Sequence, residues 1–168
     1  MQRFGLYYSQ DWYVTLSQWQ KELVRTSLEL LSREERMKSN FSDYSFIVFP
    51  IGKAYEGFLK DFFLKIGLID QQTYVDRRFR IGKAINPDIS PSHRDDEWLY
   101  AEIAQLCGPE LSRQIWNTWM ECRNQLFHYF PENEKKISLP EAEKRIEMIA
   151  DMMNEMTRCK MQSQQTSN

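Results

Sequence analysis

Arg123, Asn124 and His128 stand together in the string Arg123-Asn124-Gln125-Leu126-Phe127-His128, and Glu56 lies far upstream in Ala54-Tyr55-Glu56-Gly57. A guanidinium presents a flat fork of donors to carboxylate or phosphate oxygens. An imidazole gives or takes a proton near neutral pH. A carboxylate such as Glu56 can hold an arginine in place or share in a proton transfer. These residue types together can move protons and steady an anion.

The elements that would carry them follow from spacing. Residues from Pro109 to His128 read as one helix, and at roughly 100° per residue Leu111, Ile115, Trp116, Trp119, Cys122, Leu126 and Phe127 make one broad apolar face. Arg123 falls inside that face, between Trp119 and Trp116. A buried arginine needs an anionic partner or an opening onto a cleft; alternatively its stem lies over the Trp rings while the head reaches water. On a straight helix Arg123 and His128 differ by roughly 140° and 7.5 Å of rise. They converge only if the last turn unwinds before Pro131 or the arginine wraps across the groove. A two-fold dimer along this helix would also gather two Arg/His sets in one cleft. The plainer reading of His128 is a residue whose charge suits a helix C-terminus. Glu56 sits at the edge of the next apolar stripe, with Lys60 at i+4 as its ordinary partner or an arginine on a neighbouring helix as its other one.

The whole chain is consistent with one domain: 168 residues, 42% hydrophobic and 14% aromatic, with 27% charged residues and a net charge of −2. That balance excludes a binder held to nucleic acid by bulk charge. With two histidines, His93 and His128, a multi-His metal centre is not expected, and no metal or cofactor is assigned. Cys107, Cys122 and Cys159 are odd in number with no C-x-x-C spacing, so neither a disulfide framework nor a zinc knuckle is expected. The N-terminal MQRFGLYYSQDW lacks a long apolar run and an A-x-A-like site, and no stretch approaches a membrane span. A cytoplasmic, reduced chain away from membranes is the expectation.

Almost nothing alternates with period two, so the fold class is all-α, four or five helices in a bundle. Ser9 is placed to cap a helix over about 10–31 that turns Trp12, Leu16, Trp19 and Leu23 inward. SREERMKSNFSD reads as a polar connector. Ile51, Ala54, Tyr55, Phe58, Leu59, Phe62, Phe63 and Ile66 define a second helix stopped by Gly67. Residues 68–95 are the least regular, with INPDISPSH as loop and His93 a loop residue. Asp95 or Asp96 is placed to cap a helix to Cys107 with Trp98, Ile103 and Leu106 inward. Ser138 and Glu141 have capping-box spacing, opening a last helix over about 140–160. Its second stripe, Met148, Met152 and Met156, is either a subunit interface or Met-rich core. The domain is expected over 1–160, with 161–168 a polar tail.

Arg-Asn-x-x-x-His at a helix C-terminal end in a small all-α domain resembles the HEPN superfamily, whose signature is Arg, four to six residues, then His. FPIGKAYEGFLKDFF (49–63) is similar to the first HEPN helix of the RNase LS-type bacterial toxins, where a glutamate before a glycine joins the active site; Glu56-Gly57 occupies that place. The resemblance covers roughly residues 45–160. It implies a HEPN-like bundle acting as a homodimer, and a metal-independent endoribonuclease, the toxin of a toxin–antitoxin or anti-phage system with an antitoxin protein as partner. Such an enzyme cuts RNA by attack of its own 2′-hydroxyl, leaving a 2′,3′-cyclic phosphate. His128 would then be the acid/base and Arg123 the cation for phosphoryl charge, with Asn124 orienting His128 or the phosphate, and Glu56 holding Arg123 or assisting the proton transfer. RNase LS-type toxins are larger than this chain. In another HEPN branch a tyrosine two residues after the histidine is modified; that place is Phe130 here, with Tyr129 before it.

For RNA, the dense basic run is Arg77, Arg78, Arg80 and Lys83, with Phe79 available to stack on a base; a solvated loop is the alternative. Lys135-Lys136 is offset by Glu132 and Glu134. Two further functions remain open: a non-catalytic module binding a protein or nucleotide, and a regulatory subunit in which Arg123 and Glu56 are a structural ion pair.

Overall fold

A computed structural model describes Gly5, residues 7–129, Pro131 and residues 135–165, with side chains up to Cys159. The described residues are helical throughout their regular parts and contain no strand, as an all-α chain requires.

The first expected helix is two. Helix α1 (Asp11–Thr15) ends at Leu16, whose ψ of 145° is extended, and α2 (Gln18–Met37) begins afresh behind Ser17. Ser17 and Gln20 form a capping box: Gln20 N donates to Ser17 Oγ at 3.3 Å, and Ser17 N donates to Gln20 Oε1 at 2.7 Å. This cap, rather than Ser9, sets the phase. Trp12 and Leu16 are therefore buried while Trp19 is 58% exposed. The Glu, Arg and Met of the expected connector are good helix formers, and α2 runs through them to Lys38, which turns left-handed at φ 49°.

Helix α3 (Ser45–Lys65) starts earlier than its apolar pattern and contains Pro50. A proline inside a helix disturbs the hydrogen-bond ladder around it. The buried Ser27 hydroxyl of α2 accepts the Ile51 N–H at 2.9 Å. Gly67, at φ 76°, follows the end of α3. Two short helices come next, α4 (Gln71–Val75), capped by Asp70, and α5 (Ile81–Ala84). Helix α6 (Tyr100–Cys107) starts later than an Asp95 or Asp96 cap would place it, because Asp95 is paired with Lys83 instead. Within it Ile103 is buried, but Leu106 is half exposed.

Helix α7 (Pro109–Trp119) continues through a π turn over Met120–Asn124 into a single turn, α8 (Gln125–Phe127). Helix α9 (Leu139–Gln165) opens on the expected box, with Ser138 N donating to Glu141 Oε2 at 2.7 Å, and extends into the segment expected as tail. The rest of that tail, with Phe130, Glu132 and Glu134, lies outside the described residues. Helix α3 is central, packed against α2 and α9 and touching α4, α5, the π turn and α8. Its Ile47, Ile51, Tyr55, Leu59, Phe62 and Phe63 are the middle of the core.

One open choice is decided here and one expectation is corrected. Met152 and Met156 are buried and Met148 packs partly against the core, so of the two readings of this stripe the structure favours the Met-rich core. Cys107 and Cys159 form a disulfide that ties the end of α6 to α9, with their Cα atoms 5.5 Å apart. An odd total did not exclude one bridge, because the third cysteine, Cys122, is buried alone. The expectation of a wholly reduced chain does not fit this pair, since disulfides persist mainly in oxidising surroundings. Among the described residues no helix is long and apolar enough to cross a membrane.

Asp43 ties the start of α3 to the segment entering α9. Its Oδ1 accepts the N–H groups of Ser45 and Ile137, each at 3.1 Å, and Tyr44 N donates to Ile137 O at 2.9 Å. Burial pushes the Asp43 pKa up, but hydrogen bonds from Ser45 and Ile137 and the charge of Lys136 outweigh it and hold it below the usual value. A depressed carboxylate contributes stability that is present above its unfolded pKa and is lost as pH falls through the folded one. Asp43→Asn is therefore expected to lose less stability than wild type on acidification below about pH 4, read by urea unfolding at stepped pH.

Candidate functional site

The π turn decides the local geometry. Gln125 N–H reaches back to Met120 O, five residues earlier, in place of the α-helical four. A wider turn winds less per residue, so residues beyond it fall back toward the side of Arg123 relative to the α register. The chain then leaves the helix at His128, whose φ −111° and ψ 139° are extended. The straight-helix separation of Arg123 and His128 does not describe this segment.

Arg123 and Glu56 meet across α3 and the π turn. Arg123 Nη2 donates to Glu56 Oε2 at 3.0 Å, with side chains 26% and 35% exposed. The guanidinium carbon also stands 4.8 Å from the Trp119 ring centroid and 5.9 Å from that of Phe127. Both readings of the arginine on an apolar face thus hold together: it has an anionic partner, and it lies over tryptophan. At this exposure the pair contributes at most about 1 kcal/mol to stability. Among the described residues, Arg123 Nε and Nη1 have no hydrogen-bond partner on the protein.

Gly52 makes the approach possible. It lies one turn before Glu56 on α3, and a methyl group there would stand 2.8 Å from Phe127 Cζ and 3.7 Å from Cys122 O. Glycine thus lets α3 approach the π turn closely enough for Glu56 to reach Arg123. Gly52→Ala is expected to gain about 1 kcal/mol of helix propensity and lose about 1–3 kcal/mol to overpacking against Phe127. A net destabilisation of about 1 kcal/mol by urea midpoint checks it.

Asn124 is half-buried, and its side-chain amide donates to Met120 Sδ at 3.4 Å, within its own turn. His128 is exposed at the end of α8. The structure thus joins Glu56 to Arg123, keeps Asn124 on the same turn and puts His128 at its exit.

The basic run is arranged differently from expectation. Phe79 is only 3% exposed, so it is core and cannot stack on a base. The Lys60 ammonium lies 5.6 Å from its ring centroid. Arg78 pairs with Asp76 at 3.4 Å, Arg80 donates to Arg77 O at 2.5 Å, and Lys83 pairs with Asp95. Arg77, Arg78 and Arg80 remain exposed. His93 is exposed and bonds Ser90 Oγ at 2.7 Å, as a loop residue does. The run is nonetheless connected to the site through Trp119, because a methyl at Gly82 of α5 would stand 2.8 Å from Trp119 Nε1.

Sequence reasoning missed a second set of residues here. Phe46, Phe49 and Lys53 form an exposed stripe on α3 that leads to Glu56. The Phe49 ring centroid is 4.8 Å from that of Phe127, and Lys53 Nζ is 4.7 Å from the Trp19 ring. The available signal was the i, i+3, i+7 spacing of Phe46, Phe49 and Lys53 beside the buried stripe. Comparison of the chain with protein families, curated proteins and solved structures returned no match.

Proposed function

We propose that this chain is a metal-independent endoribonuclease of the HEPN type, the toxin of a toxin–antitoxin or anti-phage system. The observation that carries the reading is Arg123, held at one nitrogen by Glu56 over the Trp119 ring, with Nε and Nη1 engaged by no hydrogen bond among the described residues. A guanidinium fixed in this way is preorganised to take a phosphate oxygen, and preorganised charge is the largest contribution to reactions that build negative charge.

In this reading the RNA 2′-hydroxyl attacks the adjacent phosphorus, and the bond to the 5′-oxygen breaks. His128 takes the hydroxyl proton or returns one to the leaving oxygen. Arg123 receives the developing charge on the phosphoryl oxygens. Glu56 is the positioning residue for Arg123, and Asn124 lies beside it. The exposed Arg77, Arg78 and Arg80 add a local positive field to an otherwise acidic chain. A homodimer and an antitoxin protein belong to the same proposal.

RNA cleavage in EDTA by wild type, Arg123→Ala and His128→Ala tests the reading. Activity in wild type and its loss in both variants is expected. Equal activity in all three, or complete loss with chelator, contradicts it.

A non-catalytic or regulatory module is favoured by the same ion pair read as a structural tie between α3 and the π turn. In that case Arg123→Ala and Glu56→Gln lower stability alike, and His128→Ala changes nothing.

A further inference from the structure

We propose that the groove between α3 and α8 seats one unpaired nucleobase of an RNA strand, next to the phosphate that Arg123 holds. This rests on the endoribonuclease reading and adds a base-binding subsite to it.

The groove has a volume of about 310 Å³ and is lined by Ser45, Phe46, Phe49, Leu126 and Phe127. Phe49 is 53% exposed and Phe46 39% exposed. Single exposed apolar residues are ordinary, but aromatic rings gathered on one concavity are not scattered. An aromatic face suits a nucleobase of any type, since every base has a flat π-surface.

Charge and continuity select the occupant. Phe127 borders the groove, touches Phe49, and lies 5.9 Å from the Arg123 guanidinium carbon. A base resting on Phe49 and Phe127 is therefore one ring away from the cation. Lys53 stands one turn along from Phe49 on the same exposed stripe, over the exposed Trp19. Cations interleaved with aromatic faces are how single strands are gripped, the charges following the backbone and the rings taking the bases. The other candidate occupant is a second copy of the chain. A stable interface needs about 20–30 residues a side, and a five-residue groove flanked by Arg123 and Lys53 is better matched to one base.

The test uses a fluorescein-labelled single-stranded RNA and the same oligonucleotide with an abasic site beside the cleaved bond. Binding is read by anisotropy, cleavage by kcat and KM, and mass by sedimentation. The variants are Phe49→Ala and Phe49→Leu, the latter keeping apolar bulk without a flat ring, with Val75→Ala as an exposed control. Both Phe49 variants are expected to weaken binding roughly five- to one-hundredfold, in KM rather than in kcat. The abasic site should cost wild type a similar factor and cost Phe49→Ala almost nothing more. Wild-type affinity in Phe49→Leu, an abasic penalty undiminished in Phe49→Ala, no RNA binding by wild type, or a change of mass on substitution overturns the subsite. Wild-type RNA binding that depends on Phe49 without any cleavage in EDTA supports the subsite and overturns the nuclease reading alone.

Discussion

Replacing His128 with alanine is expected to lower kcat for RNA cleavage by roughly 10²–10⁴, the usual contribution of a positioned acid or base. Replacing Arg123 is expected to cost roughly 10²–10³, as removal of a preorganised donor to a developing oxyanion does. The two differ in their effect on the fold. His128 is exposed at the end of α8, so His128→Ala should lower the melting temperature less than Arg123→Ala does. Arg123→Ala also removes a guanidinium from Trp119 and leaves Glu56 half-buried without its partner, so its melting temperature should fall as well. Glu56→Gln retains a hydrogen-bond acceptor for Nη2 and should lie between wild type and Arg123→Ala in kcat. Parallel steady-state kinetics and thermal melts separate these effects. A kcat for His128→Ala within twofold of wild type contradicts the role given to the imidazole.

Opening the Cys107–Cys159 bridge is the largest expected change in stability. The two cysteines are 52 residues apart, and a closed loop of that length is worth about 4 kcal/mol by the chain-entropy relation. For a chain of this size that corresponds to a fall in Tm of roughly 8–16 °C. Replacing both cysteines by alanine should therefore lower the Tm of the oxidised protein by that amount, with little change in that of the reduced wild type. Thiol counting supplies an independent check. Burial pushes the Cys122 thiol up to about 12, so it is neither ionised nor accessible in the native state. Alkylation should find no thiol in the native protein, one after unfolding without reductant, and all three after unfolding with reductant. One reactive thiol in the native protein contradicts the burial, and three thiols without reductant contradict the bridge.

The legible parts of the fold are those set by local rules. The apolar spacing from Ile51 to Phe63 places that face of α3 in the core, because a 3.6-residue period has one reading when every apolar position agrees. The Ser138–Glu141 box is equally local. The first helix misled because one apolar spacing fits both an unbroken helix and a helix–break–helix; the Ser17–Gln20 cap, which decides, is a contest with Ser9 that spacing does not resolve. Phe79 lies among arginines in the chain, yet tertiary packing buries it.

At the site, the anion for Arg123 was legible, since an arginine on an apolar face needs one and Glu56 lay at the edge of the next stripe. The π turn was not. It packs against α3 where Gly52 leaves room for Phe127, a contact between two segments far apart in sequence. The disulfide escaped for a related reason, since its cysteines lie on α6 and α9 with no motif between them. The exposed Phe46 and Phe49 look like core until α3 is placed, because only packing reveals which side of a mostly apolar helix is left uncovered.

The central claim concerns the reaction, and the ends of the cut RNA report it directly. A single-stranded RNA incubated with the protein in EDTA, its fragments weighed by mass spectrometry, should yield 2′,3′-cyclic phosphates and 5′-hydroxyls. Those products should form at least about a hundredfold more slowly with Arg123→Ala and His128→Ala. Intact RNA with the wild-type protein, or fragments bearing 5′-phosphates, would contradict the account.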